Sequence, residues 1–390
     1  LKSRDLLRAA RDHRGNPFHP WMEARLAGLV ETHNPAIAGI SLNFLSQALC
    51  AFAALGFIRE RYPRITTVLG GGLVTSWLKG TGGRNPFEGL VDHCVAGPGE
   101  DFLLGLSRGN GGIGGGRFHC PDYSGFSAEG YLSPGPILPY SASSGCWWHR
   151  CTFCPEKAEG SGYEPVPESQ VQSELRRLQS AQRPSLIHFL DNTMSPRLLE
   201  HLASHPPGAP WYGFTRVSPR LADGDFCRAL KASGCRMLKL GLESGDQGVL
   251  DALDKGIRLD DASRALKALK GAGIGTYVYL LFGTPAEGPE AARRTLEFTA
   301  SHHVLIDYLN LAVFNLPAGS EETGLLNIRP FYEGDLSLYA DFEHPAGWGR
   351  REVRTFLDRE FRRHPAVAPI VRRHPPFFTS NHAPFLLNFC

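Results

Sequence analysis

Three cysteines lie close together near the middle of the sequence, at Cys146, Cys151 and Cys154, in the spacing C-x4-C-x2-C. Three thiolates can hold three irons of a cubane 4Fe-4S cluster and leave the fourth iron free to bind and activate a small molecule. The alternative is a zinc site, but structural zinc usually has four protein ligands, and His149 would have to be the fourth. We therefore expect these cysteines to bind a 4Fe-4S cluster.

The composition of the chain is ordinary for a globular protein. Its 390 residues are 42% hydrophobic, and the formal net charge is +2. This length suits two or three domains. The near-neutral charge gives no electrostatic reason to expect nucleic acid or a membrane surface as a partner. No apolar run approaches the ~20 residues that a membrane-spanning helix needs.

The remaining cysteines are scattered along the chain. An odd, dispersed set is not a disulfide framework, and we expect a reducing cytoplasm with most single cysteines buried as small apolar residues. The sequence starts at Leu1 rather than at Met, which is consistent with residues preceding it. The nine cysteines are Cys50, Cys94, Cys120, Cys146, Cys151, Cys154, Cys227, Cys235 and Cys390.

The first 120 residues alternate between predicted strands and helices. Apolar runs at 37–42, 66–72 and 90–97 are typical of buried strands, and the segments between them are helical in pattern. Such alternation predicts a parallel sheet with helices on both faces, whose ligands bind beyond the carboxyl ends of the strands. Glycines at those ends let the backbone approach a bulky ligand closely.

The glycine-rich segment 109–116 (GNGGIGGG) could be aligned with a dinucleotide-binding fingerprint. No predicted strand precedes it and no helical pattern follows it. We interpret it as a surface loop.

A second series of strands and helices runs from residue 141 to about 320. A short strand precedes the cysteine loop, and further strands are predicted at 186–191, 211–216, 237–245, 276–282 and 307–314. Six βα units predict a full or partial barrel with its ligands at the carboxyl ends of the strands.

The cysteine stretch resembles that of the radical S-adenosylmethionine (SAM) superfamily. The commoner superfamily spacing is C-x3-C-x2-C, and the longer spacer here is similar to that of some cobalamin-dependent members. Segments 189–192 (FLDN), 241–245 (GLESG) and 282–285 (FGTP) resemble the second-, fourth- and fifth-strand segments of that family. The resemblance implies that the open iron chelates the amino and carboxylate groups of SAM, and that electron transfer then yields a 5′-deoxyadenosyl radical.

The resemblance also implies SAM contacts at Asp191, Arg216, Glu243 and Ser244. The fork of Arg216 would pair with the SAM carboxylate, while Ser244 would reach the ribose. The alternatives are structural: a surface ion pair for Arg216, a hydrogen bond at the barrel rim for Glu243 and a turn cap for Asp191. The aromatic residues of the motif would shield the cluster from water; they are Trp147, Trp148 and Phe153.

The first 120 residues resemble the cobalamin-binding domain that precedes this barrel in one large branch of the superfamily. The sequence lacks D-x-H-x-x-G, so we interpret His93 as structural rather than as a cobalt ligand; many members of that branch bind cobalamin without such a histidine. Segments 121–126 and 381–385 also resemble that branch, and His382 would either line the substrate side or only hydrogen-bond. The candidate cobalamin contacts, whose alternative role is turn formation, are Ser41, Leu42, Gln47, Gly71, Gly72, Gly97 and Glu100.

We therefore predict an α/β chain with a doubly wound, Rossmann-like cobalamin-binding domain followed by a partial (β/α)6 radical SAM barrel. The expected boundaries are 1–120 for the first domain, 121–140 for a linker, 141–320 for the barrel and 321–390 for a carboxyl-terminal extension.

The resemblance implies a cobalamin-dependent radical SAM methyltransferase, in which methylcobalamin donates a methyl group to an unactivated carbon of the substrate. One alternative is a radical SAM cyclase or rearrangement enzyme in which cobalamin is absent or is not the methyl donor; the other is a zinc-stabilised binding module. The expected partners are an unidentified small-molecule or peptide substrate and an external electron donor of the flavodoxin or ferredoxin type, with no nucleic acid and no membrane.

Overall fold

The computed structural model describes residues 2–107, 120–126, 131, 133, 135–375 and 382–387. The chain divides into two compact units. The first comprises Leu1–His119 with Leu316–Phe342, and the second comprises Cys120–Asn315 with Glu343–Cys390. The glycine-rich segment 109–116 lies outside the described residues, so its interpretation as a surface loop stays a prediction.

The first unit is built on a parallel sheet in the order β1-β2-β3. The three predicted strands are present as β1 (Ile37–Ser41), β2 (Thr66–Gly70) and β3 (His93–Cys94), although β3 has only two residues. Within the described residues the strand order does not reverse. The helices of this unit are α1 (Ser3–Arg11), α2 (His19–His33), α3 (Ala48–Arg61), α4 (Gly72–Gly80) and α5 (Glu100–Ser107).

The core of the first unit lies between the sheet and helices α1, α3 and α4. The rings of Phe52 and Phe87 meet edge to face at 4.5 Å, and Trp77 packs against Phe87. Helix α1 approaches α3 so closely that a Cβ at Gly56 would lie 1.9 Å from the carbonyl oxygen of Ala10. Leu69 of β2 belongs to the same core, so the helices pack against the strand whose following loop contains candidate residues.

The second unit is built on six parallel strands in the order β11-β10-β9-β8-β7-β4, which confirms the predicted partial (β/α)6 barrel. The strands of the unit, including the short antiparallel pair β5 and β6, are β4 (Ile137–Tyr140), β5 (Ser143–Ser144), β6 (Glu164–Pro165), β7 (Leu186–Met194), β8 (Trp211–Thr215), β9 (Cys235–Glu243), β10 (Gly275–Phe282) and β11 (Tyr308–Val313). The helices are α6 (Pro155–Ala158), α7 (Glu168–Gln182), α8 (Pro196–Ser204), α9 (Gly224–Ala232), α10 (Gln247–Ala252), α11 (Leu259–Gly271), α12 (Pro289–Ser301), α13 (Arg350–Arg359) and α14 (Ala368–Arg372).

Strand β4 begins the barrel inside the segment predicted as a linker. The prolines of 121–140 were the reason for expecting a linker, and Pro139 lies within β4 itself. Because β4 is at the edge of the sheet, a missing backbone N–H on its outer side leaves no gap in the ladder.

The segment predicted to open a carboxyl-terminal extension divides between the units. Its first part forms a small antiparallel sheet of the first unit, in the order β12-β14-β13. The core of that unit includes Leu336, which is 1% exposed. Helices α13 and α14 belong to the second unit. The added strands are β12 (Leu316–Pro317), β13 (Ile328–Pro330) and β14 (Tyr339–Phe342).

Among the described residues, no helix has both the length and the apolar character needed to cross a membrane.

Candidate active site at the cysteine loop

The loop that carries the three cysteines is closed at its base by β5 and β6. Ser143 pairs with Pro165, and Ser144 pairs with Glu164, in antiparallel register. Next to this base Gly145 has φ +72°, and a Cβ there would lie 2.1 Å from the carbonyl oxygen of Gly162. Only glycine fits this close approach, so the sequence defines where the loop begins.

Asp191 fastens the start of the cysteine loop to strand β7. Its side chain is 3% exposed; one carboxylate oxygen accepts a hydrogen bond from the backbone amide of Ala142 at 3.1 Å, and the other from the Ser143 hydroxyl at 2.5 Å. Burial raises the pKa of Asp191. These contacts are the structural alternative to the predicted SAM contact, and a direct role in binding SAM stays a prediction.

Nearby cations and backbone amides reduce the cost of a thiolate at two cysteines of the motif, Cys151 and Cys154. Burial raises the pKa of Cys151, while the nearby cations of Lys255 and Arg216 oppose that rise. Burial also raises the pKa of Cys154, and the backbone amides that follow it at the start of α6 oppose the rise. Iron binds the deprotonated sulfur, so the cations near Cys151 and the amides near Cys154 help these cysteines act as ligands.

No group of three or more His, Cys, Asp or Glu side chains in the described part of the chain converges on a point that could hold a single metal ion. A cubane binds each thiolate through a different iron, so its cysteines need not converge on one point. The zinc alternative requires four ligands around one ion.

The four-residue spacer of the motif contains a left-handed backbone turn at His149, where φ is +49°. Nδ1 of His149 is buried without a hydrogen-bond partner. On either side of it, the indole nitrogen of Trp148 donates to the carbonyl oxygen of Asp254 at 2.9 Å, and Arg150 pairs with the Asp254 carboxylate at 3.0 Å. The longer spacer thus lets two consecutive contacts tie the loop to the segment after α10.

Trp148 is the centre of that attachment. The guanidinium carbon of Arg216 lies 3.8 Å from the centroid of its ring. A Cβ at Gly256, where φ is +64°, would lie 2.3 Å from the same ring. Trp148 therefore connects the cysteine loop to β8 and to residues 254–256, in addition to the shielding role that the sequence predicted.

Arg216 is a buried cation at the end of β8 rather than a partner in a surface ion pair. It is 5% exposed, donates from one terminal nitrogen to the carbonyl oxygen of Lys255 at 2.5 Å, and hydrogen-bonds the side chain of Cys151. Its Nε is buried and has no hydrogen-bond partner in the described part of the chain. Burial lowers the pKa of this guanidinium, and the neighbouring Cys151 and Cys146 oppose that change. A donor thus remains available beside the cysteines.

Glu243 ends β9 in a strained backbone conformation, with φ at +70°. The register with β10 is interrupted next to it, since Gly241 pairs with Tyr279 and Glu243 pairs with Leu280. A side chain at Gly241 would come within 2.8 Å of a carboxylate oxygen of Glu243. The bulge and the glycine turn the carboxylate out of the normal strand direction, as occurs at many functional sites.

Lys255, which has no predicted role, links Arg216 and Glu243. Its Nζ donates to Glu243 at 2.8 Å, and its backbone carbonyl accepts from Arg216. The Nζ also lies 5.5 Å from the centroid of the Phe153 ring, beside the third cysteine. No residue pattern in the sequence reveals this ion pair, because Lys255 and Glu243 are twelve positions apart.

Ser244 is fully buried and points away from this group. Its hydroxyl lies 3.1 Å from that of Thr295 on α12, and it accepts a hydrogen bond from the amide of Asp246 at 3.1 Å. These partners use its hydrogen-bonding capacity in packing the helix, and the ribose contact stays a prediction.

In the first unit, the candidate cobalamin residues collect at the carboxyl ends of β1 and β2. A Cβ at Gly71, where φ is +101°, would lie 2.6 Å from the carbonyl oxygen of Leu42, so the two loops pack directly together. The Leu42 side chain is buried, its amide donates to the carbonyl oxygen of Gly70 at 2.7 Å, and its carbonyl oxygen accepts from the amide of Leu73 at 3.2 Å, so a contact of Leu42 with cobalamin stays a prediction. Asn43 joins the strand ends, because it accepts from the Gly72 amide at 2.8 Å and donates to Ser41 at 3.2 Å.

The other candidates at this edge divide between turn formation and open positions. The side chain of Gln47 accepts from the amides of Asn43 and Phe44 and so closes the turn after β1. Gly97 has φ +78°, and a Cβ there would meet no atom within 4 Å, so it adjoins open space. Glu100 is exposed at the first residue of α5. His93 packs against the ring of Phe102 at 5.3 Å, in keeping with a structural role.

Large apolar side chains are exposed beside this edge, which the sequence analysis did not single out. Phe44 is 66% exposed, Leu45 40% and Leu49 56%. All three lie within six positions, directly after the carboxyl end of β1. Apolar side chains clustered on a surface in this way indicate a binding site more often than chance exposure.

Comparison with known proteins agrees with this geometry. Residues 140–299 match the family model described as the radical SAM superfamily. A curated relative, an uncharacterised methyltransferase of Pyrococcus horikoshii, is 23% identical over 321 residues, which are 74% of this chain and 68% of that protein.

Two solved structures share the fold. The radical SAM methyltransferase TsrM from Kitasatospora setae, solved with cobalamin and an iron–sulfur cluster, is 20% identical with a TM-score of 0.58, covering 80% of this chain and 72% of that chain. The cobalamin-dependent radical enzyme OxsB, solved with aqua-cobalamin and SAM, is 14% identical with a TM-score of 0.63, covering 86% of this chain and 60% of that chain. With the cysteine loop, Arg216 and Glu243 at the ends of its parallel strands, this protein contains a radical SAM domain at residues 140–299.

Proposed function

We propose that this chain is a cobalamin-dependent radical SAM methyltransferase that methylates an unactivated carbon of its substrate. The observation that supports this most directly is the connection of the three-cysteine loop to two strand-end residues of opposite charge, Arg216 and Glu243, through Lys255. This places ligands for a cluster next to groups that complement the amino acid part of SAM.

The residues of the second unit fit both a cluster and SAM. Cys146, Cys151 and Cys154 would hold three irons. Nε of Arg216 is a buried donor without a partner, suited to a carboxylate. Glu243 uses one carboxylate oxygen for Lys255, and no other hydrogen bond to it is present in the described residues, so the second oxygen suits an ammonium group. When bound, the cluster supplies the electron that cleaves SAM, and cobalamin supplies a carrier for the methyl group.

The protein's own contribution is to orient the cysteine loop and to exclude water from the site. Asp191 fixes the start of the cysteine loop, and Trp148 fixes its middle. Arg216 and Lys255 place positive charge next to thiolates that would otherwise be costly to bury. Phe153 and Trp147 cover the site with apolar surface, which strengthens each electrostatic interaction inside it.

The residues of the first unit fit a large ligand that is apolar in its body and polar at its edges, as a corrin is. Phe44, Leu45 and Leu49 offer exposed apolar surface, and Ser41 with Asn43 offers polar groups next to it. Gly97 leaves open space for a close approach. The candidate contacts Gly72 and Glu100 lie at the amino ends of α4 and α5.

The remaining parts of the proposal concern partners and location. The reaction needs an external electron donor of the flavodoxin or ferredoxin type and a small-molecule or peptide substrate. The eight cysteines in the described part of the chain are all free thiols, in keeping with a reducing cytoplasm.

The cofactors are tested by anaerobic reconstitution of the full chain. We expect about four irons and four sulfides per chain, since a cubane contains that number. A corrin absorption band and 5′-deoxyadenosine formation from SAM should accompany them. Loss of iron in Cys151→Ser, with the corrin band retained, is the matched control. Zinc in place of iron and sulfide would contradict the proposal.

Methyl transfer is tested by turnover with SAM labelled isotopically in its methyl group, using extracts that contain candidate substrates. The proposal expects label in a carbon-bound methyl group of the product, together with 5′-deoxyadenosine. Formation of 5′-deoxyadenosine with an unlabelled product would instead favour the cyclase or rearrangement enzyme. Lack of the corrin band in a protein that still cleaves SAM would favour the same alternative.

A further inference from the structure

The face of the barrel sheet opposite the packed helices contains a buried lysine without a counterion. Lys239 of β9 is 7% exposed, its Nζ lies 3.4 Å from Nε2 of His188, and it lies 5.2 Å from the centroid of the Tyr212 ring. No carboxylate in the described residues forms an ion pair with it. Burial lowers the pKa of Lys239 to about 8, so the side chain still has its charge at neutral pH. A buried charge without a counterion is costly, and such groups are concentrated at functional sites.

A second donor on this face is identified by the hydrogen bonds of two histidines. The amide of Leu309 donates to Nε2 of His374 at 3.4 Å, so the proton of a neutral His374 is on Nδ1. That Nδ1 lies 3.0 Å from Nε2 of His382, which must accept. The proton of His382 is therefore on its own Nδ1. Within the described residues that atom is buried without a hydrogen-bond partner, and His382 is fully buried.

The two donors belong to one region of this face. Lys239 is the register partner of Tyr277 on β10, and the ring of Tyr277 lies 4.6 Å from that of His382. The charge of Lys239 contributes to lowering the pKa of His382 to about 4, after burial as the larger cause. His382 is thus a neutral donor, and it is close enough to the charge of Lys239 to be affected by it.

The region is accessible from the carboxyl ends of the strands. On β7 the residues of this face, His188 and Leu190, are partly or largely exposed, while Ile187 and Phe189 on the opposite face are buried. Tyr279, next along β10 from Tyr277 on the same face, is also partly exposed. A ligand group can therefore approach Lys239 from the open side of the sheet.

We infer that Lys239 and His382 bind an anionic group of the substrate, and that this group is a carboxylate. One ammonium and one neutral N–H donor match a singly charged acceptor. A phosphate with two charges usually recruits arginine forks or several cations. The inference rests on the proposed function only in taking the bound group as part of the substrate that SAM chemistry modifies.

The first test is isothermal titration of the reconstituted full chain, in the presence of SAM, with benzoate, benzamide and phenyl phosphate as probes. Benzoate should bind at least about 10-fold more tightly than benzamide, since a hydrogen bond to a charged group contributes that much. Lys239→Met should weaken benzoate about 10- to 100-fold by the same reasoning, while Lys267→Met, at an exposed lysine on α11, should leave it unchanged.

Three results of this titration overturn the inference. These are equal binding of benzoate and benzamide, benzoate binding that Lys239→Met does not weaken, and absence of saturable benzoate binding up to its solubility limit. Tighter binding of phenyl phosphate, lost in Lys239→Met, overturns the carboxylate assignment in favour of a phosphate.

A second measurement separates ligand binding from a structural role and from the proposed function. If Lys239 serves a ligand, Lys239→Met should raise the midpoint of thermal unfolding, because it removes an uncompensated buried charge. A lower midpoint would indicate a structural role and contradict the inference. Lys239→Met should still form 5′-deoxyadenosine from SAM, so loss of carboxylate binding with SAM cleavage retained concerns this inference alone.

Discussion

At Gly256 the absence of a side chain determines whether the cysteine loop can dock. The residue has φ +64°, and the ring of Trp148 occupies the space that a Cβ would take. The same ring lies against Arg216, which reaches Cys151. A single methyl group at this position would therefore displace Trp148. It would shift the cluster ligands and the guanidinium that we propose to bind SAM.

We predict that Gly256→Ala destabilises the protein and lowers its iron content. The left-handed conformation costs about 1 kcal/mol for alanine, and overpacking against Trp148 adds about 1–3 kcal/mol. The measurement is the midpoint of thermal unfolding together with iron and sulfide per chain after reconstitution.

Gly160→Ala is the matched control for that prediction. Gly160 has almost the same φ, +65°, but a Cβ there would meet no atom within 4 Å. It should therefore show the backbone effect alone and retain its iron. Equal effects of the two variants would show that contact with Trp148 is unimportant.

How far single residues could be predicted depends on whether their chemistry is local. The three cysteines stand in one short motif, and Arg216 and Glu243 end strands that apolar runs made visible. Lys255 escaped because its importance comes from a partner twelve positions away, reached only when the backbone of Glu243 takes a left-handed turn. No pattern of residue types in the sequence predicts that turn.

Among the elements, the turn after β10 is held by a buried carboxylate. One oxygen of Glu287 accepts from the amide of Gly283 at 2.6 Å and from the indole nitrogen of Trp348 at 3.0 Å. The other is buried without a partner. This connects the turn to the segment before α13. Burial raises the pKa of Glu287 to about 7, so the folded protein favours its protonated form.

We predict that Glu287→Gln removes a part of the pH dependence of stability. Because the folded pKa is above the unfolded value of 4.5, the stability linked to protonation is fully present below about pH 4.5 and is lost as the pH rises through about 7. The variant should gain up to about 3 kcal/mol relative to the wild type over this interval. Urea unfolding at a series of pH values measures the difference.

Glu290→Gln provides the comparison, since Glu290 lies at the start of α12 with a side chain that is 73% exposed. Its stability curve should run parallel to that of the wild type. Parallel curves for Glu287→Gln as well would mean that Glu287 ionises as it does in water.

The elements that sequence reasoning missed are those whose existence depends on distant partners. The long strands of the barrel could be predicted from apolar runs, because they are buried on the helix side. Strand β4 contains Pro139 and pairs only with β7, so it resembled a linker. Strands β12 to β14 are short, and their assignment to the first unit depends on contacts across more than two hundred residues, which no local pattern contains.

At the scale of the whole molecule, the two proposed cofactors have their protein ligands in different units. The cysteines, Arg216 and Glu243 belong to the second unit, while Phe44 and Leu49 belong to the first. The binding of each cofactor should therefore respond to substitutions in its own unit.

We predict that two variants each lose one cofactor and retain the other. The double substitution Phe44→Ser with Leu49→Ser should weaken corrin binding about tenfold or more, since each apolar side chain contributes of order 1 kcal/mol when covered, and should leave iron and sulfide unchanged. Cys151→Ser should do the reverse. Absorption spectra and metal analysis of the reconstituted proteins measure both, and loss of both cofactors in the first variant would contradict separate sites.

The return of Leu316–Phe342 to the first unit has a consequence for how this protein can be divided. The backbone amide of Ser3, at the start of α1, donates to Asp335 at 2.8 Å, and Lys2 pairs with Glu333 at 2.6 Å. A polypeptide cut near residue 120 would lack these acidic partners and the buried Leu336. The unit that we propose to bind the corrin is thus not encoded by one continuous stretch of the gene, and any exchange of this domain between relatives would have to transfer two separate stretches to keep it whole.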